Sequence, residues 1–246
     1  MSFCSSSVSP IELDFSRKYD ASHAQAYLKK HKDGLARRLS HWREAQIGRR
    51  ALELAGNPRR VLDLPCGAGR FWPMLCEERD RRVLAADNSA DMLSVARGSQ
   101  PPEIVARIRT FQTSAFAIDL EDGAVDCVFC IRLLHHIEDA RHRLAMLREF
   151  HRVSSGTVIC SLWVDGNYMS WRRNCLESRR KADAQVSRNR FVVARPVIES
   201  EFRAAGWNVV AALDFLPGYA MWRTYVLAKE ARGHERNTER GARGGI

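Results

Sequence analysis

Residues 61 to 71, Val-Leu-Asp-Leu-Pro-Cys-Gly-Ala-Gly-Arg-Phe, restrict the fold more than any other stretch of the chain. Val61, Leu62 and Leu64 supply the apolar run of a buried strand, and Phe71, Met74 and Leu75 open a helical spacing. Between them Gly67 and Gly69 let the backbone turn sharply and pass close to a ligand. Such a strand, turn and helix can cradle a nucleotide-like molecule, and the same residues also serve a tight connection packed with small side chains. A second short apolar strand, Val83 to Asp87, ends in an acid placed to accept from ribose hydroxyls. Ser89 then reads as a helix N-cap with Asp91 in the first turn, where negative charge is favoured.

Asp63, Gly67 and Gly69, Asp87 with Ser89 and Met92, and the later run from Asp122 to Ile137 together resemble the class I S-adenosylmethionine (SAM) methyltransferases. Among these the chain looks most like the ubiquinone/menaquinone-biosynthesis branch. The resemblance covers residues 57 to 163 well and 198 to 229 loosely. It implies an α/β fold: a Rossmann-like, doubly wound, mostly parallel sheet of seven strands with the last antiparallel, preceded by N-terminal helices and carrying a cap insertion after the fifth strand. It also implies S-adenosyl-L-methionine as cofactor, with S-adenosyl-L-homocysteine (SAH) as product.

By that resemblance Asp63 anchors the turn and the amino-acid end of SAM, Gly67 and Gly69 make room for it, Asp87 holds the ribose, and Met92 or Asn88 packs near adenine. Two positions depart from the pattern. Pro65 stands where a glycine commonly opens the loop, which removes a backbone donor, and Ser114 stands where many relatives carry an acid facing adenine. Ala115 and Phe116 follow where the family lays adenine against a backbone amide, and Cys66 beside the loop reads as packing.

The segment from Asp126 to Leu133 is apolar on both faces, as in a central strand covered by helices on both sides. Ligands of such sheets collect at the carboxyl ends of the strands. Arg132, His135 and His136 therefore fall beside the expected methyl-transfer centre, Arg132 within the cofactor shell as well. Either histidine could deprotonate or orient an acceptor; alternatively one packs beneath the loop and the other caps the next helix near Asp139. Arg132 could meet an anionic substrate or a neighbouring acid.

In chain order, residues 1 to 16 read as a disordered N-terminus and 17 to 57 as basic helices forming a substrate lid. The methyltransferase domain runs from 58 to 230 with its cap at about 165 to 197, and 231 to 246 read as a disordered tail. Leu35, Leu39 and Trp42 recur at helical spacing, as do Ile47, Ala51 and Leu54, before Gly56-Asn57-Pro58 stops the helix. Tyr19, His23 and Tyr27 share one helical face that either lines the substrate mouth or packs on the core. Ala140, Leu144 and Leu147 mark the apolar face of a helix from 139 to 153. In the cap, Tyr168, Trp171, Arg172 and Arg173 interleave aromatic and basic residues. That pattern suits a nucleic acid or phosphorylated ligand, or a cap helix whose Met169 and Trp171 rest on the sheet while the arginines face water.

Charge is uneven: residues 61 to 164 hold 12 Lys or Arg against 14 Asp or Glu, whereas 17 to 60 hold 12 against 4 and 165 to 203 hold 9 against 5. Basicity on the lid and cap implies an anionic substrate or an acidic macromolecular surface, unless it only keeps these faces solvated. Cys127 and Cys130, three apart in a strand, point to opposite faces and cannot share a metal or a disulfide. No metal-ligand cluster is expected. No apolar run approaches the ~18 residues of a membrane span, and with no signal pattern a cytoplasmic protein is expected. Three functions follow: a methyltransferase acting on a small or lipid- or sugar-linked anionic acceptor at oxygen, nitrogen or carbon; an RNA or protein methyltransferase docking through the basic helices; and a SAM-fold binding module without chemistry.

Overall fold

The computed structural model describes residues 35–179 and 190–230. The expectations for Tyr19, His23 and Tyr27 and for the two chain ends lie outside these residues. Eight strands form one sheet: β1 (Arg60–Asp63), β2 (Arg82–Asp87), β3 (Ile108–Gln112), β4 (Val125–Cys130), β5 (Ser154–Val164), β6 (Val192–Val193), β7 (Trp207–Asp214) and β8 (Trp222–Lys229). They lie in the order β3-β2-β1-β4-β5-β8-β7, and β6 pairs with β5 off this path. The first five are mutually parallel, and β8 runs antiparallel to β5 and β7. The expected mostly parallel seven-strand path with an antiparallel last strand is present, with the two-residue β6 added by the cap.

Among the described residues seven α-helices accompany them: α1 (Leu35–Leu54), α2 (Trp72–Leu75), α3 (Ala90–Ser99), α4 (Pro102–Val105), α5 (Ala140–Val153), α6 (Tyr168–Arg179) and α7 (Arg195–Ala204). Local chemistry explains their ends. Ser89 accepts from the Met92 amide and starts α3, and Asp139 accepts from the Arg141 amide and starts α5, each satisfying an otherwise orphaned donor. At the end of α1 the Asn57 amide reaches the Leu52 carbonyl and the Gly56 amide reaches Glu53. This double closure needs left-handed backbone, supplied by Gly56 at φ 80°.

The sheet divides two apolar layers. Val128 and Cys130 of β4 face one, with Met146, Leu147 and Phe150 of α5 and Phe202 of α7; Cys127 and Phe129 face the other, with Ala51 and Leu52 of α1 and Leu75 of α2. Cys127 and Cys130 thus do lie on opposite faces, and both are free thiols held protonated by burial.

Three expectations change. The buried face of α5 is Arg143, Met146, Leu147, Phe150 and Val153, with Ala140 exposed, because the sequence stripe was drawn around an apolar Leu144 rather than a buried arginine. Leu35, Leu39 and Trp42 are exposed at 83%, 63% and 54%, and only the second half of α1 packs on the sheet. Residues 154–156, near which that helix was expected to end and after which the next strand was expected, already belong to β5. Among the described residues no helix is long and apolar enough to cross a membrane.

Candidate functional site

Asp63 ends β1 and Asp87 ends β2, so adjacent parallel strands deliver two carboxylates to the same edge of the sheet. Both are buried, at 1% and 8% exposure. Burial raises the pKa of each, and the negative charge of Asp87 raises that of Asp63 further. Asp87 is tied to backbone: its Oδ2 accepts from the Gly67 amide and its Oδ1 from the Ser89 amide, both at 3.0 Å. A carboxylate oxygen has a second lone pair, so both can still accept from a ligand hydroxyl. Asp63 differs. Its Oδ2 is buried without a hydrogen-bond partner among the described residues, as is the Trp72 indole nitrogen, and the nearby indole acts against the rise in the Asp63 pKa.

The turn between these acids follows the sequence expectation. Gly67 and Gly69 adopt φ of 53° and 70°. A Cβ on Gly69 would meet the Trp72 ring at 2.8 Å, so residue 69 has room only for hydrogen. Pro65 follows a cis peptide bond, and the Cys66 amide donates to the Ala86 carbonyl at 2.8 Å, joining the turn to β2. The Cys66 thiol is buried and pushed up by burial and both acids, which keeps it protonated and suits packing. Met92 lies beside Gly67, with its methyl carbon 3.6 Å from where a Cβ would stand, while Asn88 is exposed.

Ser114, Ala115 and Phe116 form the wall beyond Asp87. This short loop is organised by Thr113, which sequence reasoning missed. The Thr113 hydroxyl donates to the Ala117 carbonyl and accepts from the Asp119 amide, its backbone amide reaches the Asp87 carbonyl, and the Ser114 hydroxyl accepts from the Phe116 amide. The hydroxyl of Ser114 is therefore partly committed to its own loop.

At the end of β4 the chain turns at Arg132, whose φ of 67° is uncommon for a residue with a side chain. Its amide donates to the buried Ser161 hydroxyl of β5 at 2.9 Å, its guanidinium lies over the Trp222 ring at 4.9 Å, and the same guanidinium pairs with Glu44 of α1. Glu44 also pairs with Arg70, the residue after Gly69. Two arginines from two loops thus converge on one carboxylate. Glu44 was missed because it is one of few acids in a basic segment; its partners lie 88 residues away and beyond the glycine turn.

His135 is almost fully buried among His136, Trp163 and Trp222, with ring centroids 4.0, 5.3 and 4.7 Å away. Burial first, then coulombic coupling to His136, Arg190 and Arg132, lowers its pKa to about 2. It is neutral at ordinary pH and too weak a base to hold a proton. His136 is half-buried beside it. Trp171 does not rest on the sheet: it is 62% exposed, whereas Arg173 lies over Trp163 at 5.3 Å. Among the described residues no group of His, Cys, Asp and Glu could hold a metal ion.

Comparison with known proteins agrees with this geometry. Residues 61–155, from β1 to the start of β5, match the methyltransferase domain family model. The chain superposes on the SAH-bound magnesium protoporphyrin IX methyltransferase of Synechocystis PCC 6803 with a TM-score of 0.71, covering 88% of this chain and 98% of that one at 14% identity. The fold is therefore the Rossmann-like one of that methyltransferase, and residues 61–155 are the part of the chain that is similar to methyltransferase domains in sequence.

In sequence, the chain is 27% identical over 123 residues to an uncharacterised methyltransferase of Schizosaccharomyces pombe, covering 49% of this chain and 45% of that protein. It is 35% identical over 99 residues to the demethylmenaquinone methyltransferase of Thermus thermophilus, covering 39% and 44%. It spans about half the length of these curated relatives.

Proposed function

We propose that the chain is a SAM-dependent methyltransferase acting on a small anionic acceptor. The observation that carries the cofactor assignment is the buried Asp63 carboxylate with an unpartnered oxygen beside a turn that only glycine can make. An ammonium group supplies the missing donors and offsets the cost of burying that charge, and the amino-acid end of SAM carries one. When bound there, the cofactor brings a methyl group already activated on a sulfonium. The residues present fit it: Asp87 would accept from ribose hydroxyls at the remaining lone pairs of its oxygens, and Ser114 to Phe116 would border adenine. Catalysis then consists largely of alignment and exclusion of water.

The acceptor side rests on Arg132, Ser161 and His136 at the ends of β4 and β5. His136 is the better candidate to take the acceptor's proton, since the suppressed basicity of His135 suits it to holding the turn in place. The basic lid and cap favour an anionic acceptor. The partial likeness to a demethylmenaquinone methyltransferase is compatible with an aromatic acceptor. A macromolecular acceptor has one observation in its favour, the exposed Tyr168 and Trp171 beside exposed Arg172 on α6.

Isothermal titration with SAM and SAH, repeated on Asp87→Ala, tests the cofactor assignment. Micromolar binding weakened by ~10-fold or more, about 1.4 kcal/mol, is expected. Absence of binding to a folded sample overturns the proposal. Salt-sensitive binding of RNA that survives in the presence of SAH would instead favour the macromolecular acceptor.

A further inference from the structure

Two apolar faces of α1 point in opposite directions. At about 100° per residue, Ile47, Gly48 and Ala51 fall on the side packed against the sheet, and Leu35, Leu39 and Trp42 fall on the opposite, exposed side. Arg38 and Arg43 flank this exposed stripe, one on each side. Glu44 meets Arg70 and Arg132 at the carboxyl edge of the sheet, and the helix ends short of β1 at the other edge. The turns before Glu44 therefore stand beyond the carboxyl ends of the strands.

A second apolar patch lies at the same edge. Asn167 accepts from the Ser170 amide and starts α6, and the amides of Tyr168 and Met169 donate to the Gly218 and Tyr219 carbonyls in the loop between β7 and β8. This sets three rings side by side: Tyr168 stacks on Tyr219 with centroids 5.5 Å apart and meets Trp171 at 5.9 Å. These rings and Leu216 of the same loop are each between 46% and 62% exposed. Arg43 joins the two patches, its Nε donating to the carbonyl of Phe215, next to Leu216, at 3.1 Å. Exposed apolar side chains that stand singly need no explanation, but a group gathered at one edge does.

We infer that this edge is a docking surface for an anionic lipid bilayer. The inference goes beyond the methyltransferase reading and does not depend on it. Three observations support it. First, a single-stranded nucleic acid would use the rings and the arginines but leave Leu35, Leu39 and Leu216 in water. A bilayer interface takes leucines into the acyl boundary and holds Trp and Tyr at headgroup depth. Second, charge is complementary. Residues 35–43, 168–177 and 215–221 hold five arginines, Arg37, Arg38, Arg43, Arg172 and Arg173, against one acid, Glu177, which pairs with Arg173. Each basic residue near an anionic surface adds to the attraction. Third, the first half of α1 has the pattern of a helix lying in an interface, with leucine and tryptophan on one side and arginines at its borders, their stems able to reach toward headgroup phosphates. Docking in this way turns the carboxyl ends of β4 and β5, and the site they carry, toward the bilayer.

The test is flotation of the full-length protein, in the presence of SAH, with vesicles of phosphatidylcholine alone and of an equal mixture of phosphatidylcholine and phosphatidylglycerol. Wild type is expected to bind the mixed vesicles at least ~10-fold more tightly, with the difference narrowing at high salt. Because the whole chain is basic, the deciding variants remove apolar groups and leave every charge. Leu39→Ser/Trp42→Ser and Leu216→Ser/Tyr219→Ser should each weaken binding by ~10-fold or more, with thermal midpoints and SAH affinity as in wild type. Brominated acyl chains should quench the tryptophan emission of wild type and quench that of Trp42→Phe less. Full binding by either double variant, or equal binding of the two kinds of vesicle, overturns the inference. So does binding of oligouridylate without vesicle binding, which would make this a nucleic-acid surface. A lipid-free dimer that the same variants dissociate also overturns it, because the face would then join two copies of the chain. SAH binding without vesicle binding removes this inference and leaves the methyltransferase reading standing. Vesicle binding by a protein that does not bind SAH does the reverse.

Discussion

Asp63 and Asp87 oppose one another electrostatically: the charge of Asp87, two residues beyond the Ala85 partner of Asp63 on the neighbouring strand, pushes the already raised pKa of Asp63 higher. An acid whose folded pKa lies above its unfolded value contributes stability below the unfolded pKa and loses it as pH rises through the folded pKa. At pH values above the unfolded pKa, burying Asp63 is therefore a net cost to the fold. Asp63→Asn is expected to stabilise the free protein by about 1 kcal/mol at pH 7, read by urea unfolding, while weakening SAH binding by ~10-fold or more. The gain should shrink toward acid pH. Cofactor binding to wild type should release protons at pH values near the raised Asp63 pKa, measured by titration in buffers of different ionisation enthalpy, and Asp63→Asn should not.

His135 gives stability the opposite pH dependence. Its pKa falls from 6.5 to about 2 in the fold, so the unfolded chain binds one more proton throughout that interval. Stability from burying the neutral ring is complete above 6.5 and is lost as pH falls, by about 1.4 kcal/mol per pH unit. Unfolding free energies measured from pH 7.5 down to 4.5 should show this slope in wild type. His135→Phe, similar in shape and unable to titrate, should flatten it.

Gly69 and Gly218 have the same φ of 70°, but a Cβ at 218 meets nothing within 4 Å while one at 69 strikes the Trp72 ring. Alanine at either position costs the left-handed strain, about 1–2 kcal/mol. Gly69→Ala adds the clash and should lose SAH affinity as well, whereas Gly218→Ala should bind SAH as wild type does. Comparing the two by thermal melts and SAH titration separates backbone strain from loss of the ligand's place.

Arg143 of α5 and Glu201 of α7 form a bidentate pair at 2.8 and 2.6 Å, both nearly excluded from water. The other terminal nitrogen of Arg143 donates to the carbonyls of Ile137 and Glu138 after the histidine turn. Removing one partner strands a buried charge, so Glu201→Ala is expected to cost about 3–5 kcal/mol. The double variant Arg143→Met/Glu201→Leu should recover much of that loss in urea unfolding, which would show that the penalty comes from the stranded charge.

The parts of the site legible in the sequence are those whose physics is local. The order of apolar strand, glycines and acid placed Asp63, Gly67, Gly69 and Asp87 together because adjacent parallel strands joined by a crossover bring both carboxyl ends, and the turn that leaves the first, to one edge of the sheet. The opposite faces of Cys127 and Cys130 followed from the two-residue period of a strand. What escaped depends on contacts across the chain. The burial of Arg143 left no local trace because its partner is 58 residues away. Trp222 is a strand residue whose importance comes from β8 lying beside β5, which sets it against His135 and Arg132. Leu35, Leu39 and Trp42 have a helix period without a partner among the described residues, and periodicity alone cannot distinguish a packed stripe from an exposed one.

The backbone amide of Phe191 donates to the carbonyl of His135 at 2.7 Å, and the next two residues join the sheet against Trp163 and Val164. This makes the returning arm of the cap a structural support of the histidine turn. Grafting a different cap onto this scaffold to change acceptor preference would have to bring its own donor to that carbonyl. Otherwise the turn at residues 132–136 must be redesigned together with the cap, while α5 and β5 between them stay as the core of the sheet.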